Sequence, residues 1–166
     1  MKDRLLVVGY GNDLRRDDAL GCLVARHVDD QRTPSIRGIE LFQLVPELAS
    51  QLAETDEVIF VDASVDGSRV GWLPLDSQSV AAPRMGHFSD PRWILHLCHS
   101  LYGRSPQASL MTIPAKDLGF GEGLSPEAKI HFEEAIRRID LHIHRIKNHH
   151  PIDNDHPVPE SQEHGG

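Results

Sequence analysis

The 166-residue chain contains only two cysteines, Cys22 and Cys98, and aromatic side chains make up only 5% of it. The cysteines fall in separate predicted helices, so they make no disulfide framework and suit a reducing compartment. Both lie on apolar helix faces, where a thiol is usually an inert core group. They therefore predict core packing rather than a Cys–His nucleophile.

The sequence leads us to expect no membrane span, no signal peptide and no basic surface. No apolar run approaches the roughly 18 residues that cross a bilayer, and residues 1–4 lead straight into a predicted strand. The 17 Lys and Arg residues are outnumbered by 25 Asp and Glu, and no basic stripe is visible for phosphates. We expect a cytoplasmic protein that binds neither membranes nor nucleic acid.

Apolar strands alternate with amphipathic helices over most of the chain, and the length allows one domain. Uninterrupted apolar runs are typical of strands covered on both faces, hence of a parallel sheet between helices. Strands are predicted at 4–8, 36–42, 57–62, 70–75 and 108–113, and helices at 18–28, from 46, at 91–101 and from 125. Pro74 restricts the fourth strand to an edge. The prediction is a three-layer α/β/α sandwich with about five strands, mostly parallel, and one antiparallel edge strand.

Residues 148–166 are rich in proline, histidine and acidic residues and lack apolar periodicity. We expect them to form a mobile polar tail after a single α/β domain of residues 1–147. Histidine-rich tracts can bind transition metals. The same composition is also typical of a soluble helix end with a polar tail.

The densest pattern is residues 5–21, where a glycine turn with several acidic residues joins the first strand to the first helix. A dinucleotide fingerprint would have a third glycine in place of Leu14 and a helix N-terminus free to meet a pyrophosphate. Asp17 and Asp18 occupy that end, so the turn favours a cation. One carboxylate is enough to cap a helix. Asp17 is either this cap or a partner that supports Asp18, and we favour the cap.

Asp18 and Asp62 are both predicted near carboxyl ends of strands, where ligands bind in open α/β sheets. We expect them to converge. His87 lies in a loop directly before a helix and can act as a ligand or general base, whereas His96 and His99 lie off their helix's apolar stripe and should be solvated. Two carboxylates and an imidazole with an open position suit Zn²⁺ or Ni²⁺.

The run from Gly9 to Gly21 resembles the N-terminal signature of the hydrogenase maturation endopeptidases, Gly-x-Gly-Asn-x-Leu-x-x-Asp-Asp/Glu-Gly-x-Gly, and departs from it at Ala19. Residues 118–126 resemble a loop found in one branch of that family. The resemblance implies a hydrolase, an endopeptidase that removes the C-terminal extension from the nickel-loaded large-subunit precursor of a nickel–iron hydrogenase. It further implies that Asp18, Asp62 and His87 are the catalytic and metal-recognising residues.

On this interpretation nickel belongs to the substrate, and the protease is a monomer with no permanently bound organic cofactor. An alternative function is a nickel carrier without proteolysis, which is suggested by the histidines near the C-terminus. These are His142, His144, His149, His150, His156 and His164. A nucleotide-dependent enzyme is a weaker alternative, because it rests on Gly9 and Gly11 alone.

Overall fold

Strands and helices alternate through the residues that the structure, a computed structural model, describes: 3–76 and 90–149. In that part of the chain they are β1 (Asp3–Tyr10), α1 (Leu20–Asp30), β2 (Ile36–Leu41), α2 (Leu48–Ala53), β3 (Thr55–Ser64), β4 (Gly71–Leu75), α3 (Pro91–Tyr102), β5 (Gln107–Pro114) and α4 (Pro126–Asn148). A 3₁₀ turn, Arg16–Ala19, directly precedes α1. His87 and most of the predicted tail lie outside the described residues, so the division at residue 147 stays a prediction.

The five strands form one sheet in the order β2-β1-β3-β5-β4. All neighbours are parallel except β4, which pairs antiparallel with β5 at the edge. Pro74 lies on this edge strand, as predicted. Helices α1 and α4 pack on one face of the sheet, and α2 and α3 pack on the other. The three-layer α/β/α fold is confirmed.

Tertiary contacts shift several element boundaries. Helix α2 begins at Leu48, two residues after Pro46. Strand β3 continues to Ser64, because it stays paired with β5 up to Pro114, so Asp62 lies inside the strand rather than at its end. Helix α4 begins as predicted, since the Ser125 hydroxyl accepts a hydrogen bond from the Ala128 N–H at 3.2 Å.

Helix α1 begins in direct backbone contact with the sheet. A Cβ atom at Gly9 would lie 1.9 Å from the Gly21 carbonyl oxygen, and one at Gly21 would lie 2.3 Å from the Val61 carbonyl oxygen. The glycines of the first motif therefore let α1 approach β1 and β3. None of the helices within residues 3–76 and 90–149 is long and apolar enough to span a membrane.

Both thiols are core groups, as predicted. Cys22 is 5% exposed and Cys98 is fully buried. Burial, helped by the charge of Glu40, raises the pKa of Cys22 to about 11, and burial also raises the pKa of Cys98.

We expect neither thiol of the folded protein to react within minutes with an aromatic disulfide reagent at pH 8, because the thiolate is the reactive form. Both should react after unfolding in urea, which serves as the control. Rapid labelling of the native protein would contradict this prediction.

Candidate active site

The candidate site lies at the carboxyl edge of the parallel strands. Strand β1 ends at Tyr10 and leads through the turn Arg16–Ala19 into α1. Side chains alternate along β3, so Asp62 shares a face with Val58 and Phe60, which pack against α2 and α3. The site therefore combines the end of β1, the end of β3 and the turn before α1.

The structure brings Asp18 and Asp62 together. Burial and then the nearby Asp18 carboxylate raise the pKa of Asp62 from 3.8 to about 6. The Asn12 backbone N–H donates to Asp18 Oδ2 at 2.9 Å, and the Ala63 N–H donates to Asp62. Two like charges are thus held within interaction range, an arrangement that a bound cation would stabilise. Their catalytic and metal-recognising roles stay predictions.

Tyr10 is a further member of the site that sequence reasoning missed. Its side chain is only 6% exposed, and its hydroxyl donates a hydrogen bond to the Asp62 carboxylate. Burial, then the charges of Asp62 and Asp90, raise the pKa of Tyr10. Gly9 pairs with Val61, so the parallel register places Tyr10 beside Asp62. Local sequence patterns do not predict the register between β1 and β3, so they could not identify Tyr10 as a neighbour of Asp62.

The third predicted ligand, His87, lies outside the described residues. On α3, His99 is exposed and His96 is half-buried. Asp90, which caps α3 by accepting a hydrogen bond from the Arg92 N–H at 2.9 Å, is close enough for its charge to affect Tyr10. The start of α3 therefore faces the site. Within residues 3–76 and 90–149, no group of three His, Cys, Asp or Glu side chains could hold a metal ion.

The assignment of Asp17 to a helix cap is wrong. Its carboxylate is fully buried and accepts backbone hydrogen bonds from Lys116 and Asp117 at 2.8 Å and from Ser125 at 2.7 Å. The Ser125 hydroxyl donates a fourth at 2.7 Å. Burial alone would raise the pKa of Asp17, but these hydrogen bonds lower it overall. Asp17 thus ties the chain before α4 to the first motif.

We call residues 115–125, between β5 and α4, the glycine loop. It pairs with the turn after β1, where Arg15 and Gly121 form a parallel bridge. The Arg16 N–H donates to the Gly121 carbonyl oxygen at 3.1 Å, and the Gly121 N–H donates to the Leu14 carbonyl oxygen at 3.0 Å. The glycine loop is therefore fixed alongside the turn that carries Asp18.

The chain matches no protein-family model and no curated protein sequence at a significant level. Among solved structures it is similar to the [NiFe] hydrogenase maturation protease HycI from Thermococcus kodakarensis, with 27% identity and a TM-score of 0.65, over 89% of this chain and 94% of that one. The chain is thus similar to a hydrogenase maturation protease over most of its length, in line with the resemblance of its first motif. This similarity supports the hydrolase of the protease class that the resemblance predicts.

Other structures related to this hydrogenase maturation protease family show the same fold at lower identity. The hydrogenase maturating endopeptidase HybD from E. coli is 18% identical with a TM-score of 0.66, over 86% of this chain and 93% of that one. HybD from Thermococcus kodakarensis is 21% identical with a TM-score of 0.61, over 83% and 97%. The α/β architecture of this chain is therefore shared with several solved structures across nearly their full length.

Replacing Asp62 by asparagine is expected to stabilise the protein at pH 7.5 by about 3 kcal/mol, since one pKa unit corresponds to about 1.4 kcal/mol. The pKa of Asp62 in the folded protein, about 6 against 3.8, means that ionisation destabilises the fold. This cost is absent below pH 3.8, grows up to about pH 6 and is complete above it. Urea unfolding at pH 7.5 and pH 3.5 measures the difference, which should disappear at the lower pH.

Asp66→Asn is the control for that experiment, because Asp66 is an exposed carboxylate in the turn after β3. It should change stability by less than about 0.5 kcal/mol at either pH. A loss of stability in Asp62→Asn at pH 7.5 would contradict the raised pKa of Asp62.

Proposed function

We propose that this protease removes the C-terminal extension of a nickel–iron hydrogenase large-subunit precursor, and that Asp18, Asp62 and His87 recognise nickel already inserted in that substrate. The observation that carries the proposal is the meeting of Asp18 and Asp62 at the carboxyl edge of the sheet. Similarity to solved hydrogenase maturation proteases supports the kind of reaction and the kind of partner.

The donor set fits the proposed recognition step. Carboxylate oxygens and an imidazole nitrogen suit a borderline divalent ion such as Ni²⁺. The Tyr10 hydroxyl and the Ala63 N–H orient Asp62, and the Asn12 N–H orients Asp18. These contacts hold both carboxylates at the same edge of the sheet, so the ion in the precursor would offset the repulsion between them.

The position of α3 supports His87 as the third ligand. His87 precedes Asp90 by three residues, and three extended residues span at most about 11 Å. Asp90 in turn lies near Tyr10, which contacts Asp62. The connecting chain is therefore short enough for His87 to serve the same site.

The proposal also explains how cleavage would depend on nickel. Without the ion, Asp18 and Asp62 repel each other, and the substrate gains little from approaching them. With nickel in the precursor, the charge complementarity draws the polypeptide into the site and positions its extension for hydrolysis.

The test is incubation of a candidate precursor, with and without nickel, with the wild type and with Asp18→Ala, Asp62→Ala and His87→Ala. We expect cleavage only of the nickel-loaded precursor, and loss of cleavage in each of the three variants. Asp66→Ala, which removes an exposed carboxylate elsewhere, should cleave like the wild type. Cleavage that is indifferent to nickel, or undiminished in all three variants, would overturn the proposal.

The nickel-carrier alternative gains no support from two of its histidines. His142 contacts Glu57 at 2.8 Å, and His144 contacts Asn148 at 2.8 Å, so both already have protein partners. His150, His156 and His164 lie outside the described residues. Truncation after Asn148 separates the two functions, since processing should survive it whereas nickel binding by a carrier should not.

A further inference from the structure

Two large apolar side chains are exposed on the turn that carries Asp18 and on the glycine loop paired with it, Leu14 at 60% and Phe120 at 85%. Single exposed hydrophobic residues are common on protein surfaces. These two, however, occupy corresponding positions in paired segments, because each directly precedes one member of the Arg15–Gly121 bridge. We call Leu14 and Phe120 the apolar rim.

The apolar rim is held rigidly. Four hydrogen bonds to the Asp17 carboxylate hold both ends of the glycine loop. Arg15 Nε donates to the Leu118 carbonyl oxygen at 3.0 Å, and the Arg15 guanidinium carbon lies 5.9 Å from the centre of the Phe120 ring. A preformed surface loses little conformational entropy when a partner binds. The Phe120 side chain is therefore exposed to solvent, although hydrogen bonds hold the loop that carries it.

A cavity of about 250 Å³ adjoins the apolar rim between the turn after β1, the start of α1 and the glycine loop. Leu14, Ala19, Leu23 and Leu124 supply its apolar lining. This volume is below the roughly 300–1,000 Å³ of typical small-molecule sites. The cavity therefore suits a side chain of a bound polypeptide better than a whole cofactor.

Charges around this cavity are mixed. Asp13 and Glu122 contribute negative charges and Arg16 and Arg26 positive ones, and Arg26 is already paired with Glu40 at 2.6 Å. The surroundings thus favour neither a strongly acidic nor a strongly basic partner. An apolar segment of polypeptide matches both the exposed side chains and the balanced charge.

We propose that the apolar rim docks an apolar segment of the precursor polypeptide next to the cleavage site. This inference rests on the proposed function and adds where the substrate chain lies. Leu14 and Asp18 belong to the same turn after β1, so a polypeptide seated on the rim would lie close to the turn that carries Asp18. Docking then contributes affinity for the protein part of the precursor, independently of its metal.

The test compares Phe120→Ala and Leu14→Ala with the wild type, using a nickel-loaded precursor. Truncation of an aromatic anchor at an interface centre weakens binding by roughly 30-fold. We expect an increase in KM of that order for Phe120→Ala, a smaller one for Leu14→Ala, and a much smaller change in kcat for both. Phe120→Leu, which keeps an apolar side chain, should recover most of the affinity.

Ile130→Ala is the matched control, since Ile130 is 65% exposed on α4 and lies outside the rim. Its KM should stay within about twofold of the wild type. Thermal unfolding of every variant verifies that an altered KM does not arise from a damaged fold. Direct binding of the precursor to each variant is measured in parallel with cleavage.

Several outcomes separate this inference from the function on which it rests. Normal cleavage by the wild type, with an unchanged KM in both rim variants, would overturn the docking surface and leave the proposed function intact. A wild type that binds the precursor through Phe120 but never cleaves it would support docking and overturn proteolysis. A shift from dimer to monomer in Phe120→Ala, with no change in KM, would overturn docking by assigning the rim to a second copy of the chain.

Discussion

Gly9→Ala is expected to abolish folding or to lower the free energy of unfolding by more than about 3 kcal/mol, beyond the usual cost of overpacking. The new Cβ would lie 1.9 Å from the Gly21 carbonyl oxygen and 2.9 Å from the Cys22 nitrogen. Both are backbone atoms of α1, so no side-chain rotation relieves the clash. Only separation of α1 from β1 would make room, which breaks the packing of Leu20 and Val24 on the sheet. Urea unfolding followed by circular dichroism measures the loss.

Gly119→Ala is the control for this substitution. A Cβ at Gly119 would meet only a side-chain atom, Oδ1 of Asp117, at 3.0 Å, and that carboxylate is half-exposed. We expect a cost below about 1 kcal/mol. Wild-type stability in Gly9→Ala would contradict the close packing. The expected contrast would show that the first glycines of the motif serve helix packing, although the same glycines also occur in phosphate-binding turns.

The fold was predictable because hydrophobic periodicity alone specifies most of it. The unbroken apolar runs of β1 and β3 indicate strands covered on both faces, and the helical spacing of Ala128, Ala135 and Ile139 indicates a helix packed on the sheet. Pro74 marks the edge strand, since proline cannot donate to a central ladder. The boundaries that differ, such as the end of β3, are set by pairing with β5, which local patterns do not encode.

The candidate site was predictable where the topology of an α/β sheet determines it. Asp18 and Asp62 lie near carboxyl ends of strands, and such ends converge in any parallel sheet. Tyr10 and Asp17 were missed or misassigned because their partners are distant in sequence. The groups that bind Asp17 are 99 to 108 residues away, so an acidic residue before a helix was interpreted by its local context as a cap.

Asp17→Asn is expected to lower the free energy of unfolding at pH 7 by about 2–4 kcal/mol, because a buried unsatisfied group costs about 1–3 kcal/mol and a charged one more. Oδ2 of Asp17 accepts three hydrogen bonds and Oδ1 accepts one from the Ser125 N–H. An asparagine oxygen can replace Oδ2, but its NH₂ group would then face the Ser125 N–H, donor against donor. The glycine loop would lose its fixed position. Urea unfolding, together with hydrogen exchange of the Lys116 and Asp117 amides, measures the effect.

The neighbouring Asp18→Asn provides a matched control for Asp17→Asn, since it removes one carboxylate charge at the next position. Asp18 accepts a hydrogen bond from the Asn12 N–H, which an asparagine oxygen can still accept, and its charge opposes that of Asp62. Asp18→Asn should therefore leave stability unchanged or raise it at pH 7. Equal destabilisation by both substitutions would contradict the anchoring role of Asp17.

The dependence of this difference on pH follows from the direction of the pKa shift. Hydrogen bonding lowers the pKa of Asp17 in the folded protein, so its ionised form stabilises the fold fully above its unfolded pKa of about 4. That contribution is lost as the pH falls through the lower pKa of the folded state. The stability gap between wild type and Asp17→Asn should therefore narrow below about pH 4. The advantage of Asp62→Asn should disappear at higher pH, as the pH falls from about 6 to 3.8, because the pKa of Asp62 is raised in the folded protein. Acid titrations of the two variants thus distinguish Asp17, whose ionised form stabilises the fold, from Asp62, whose ionisation destabilises it.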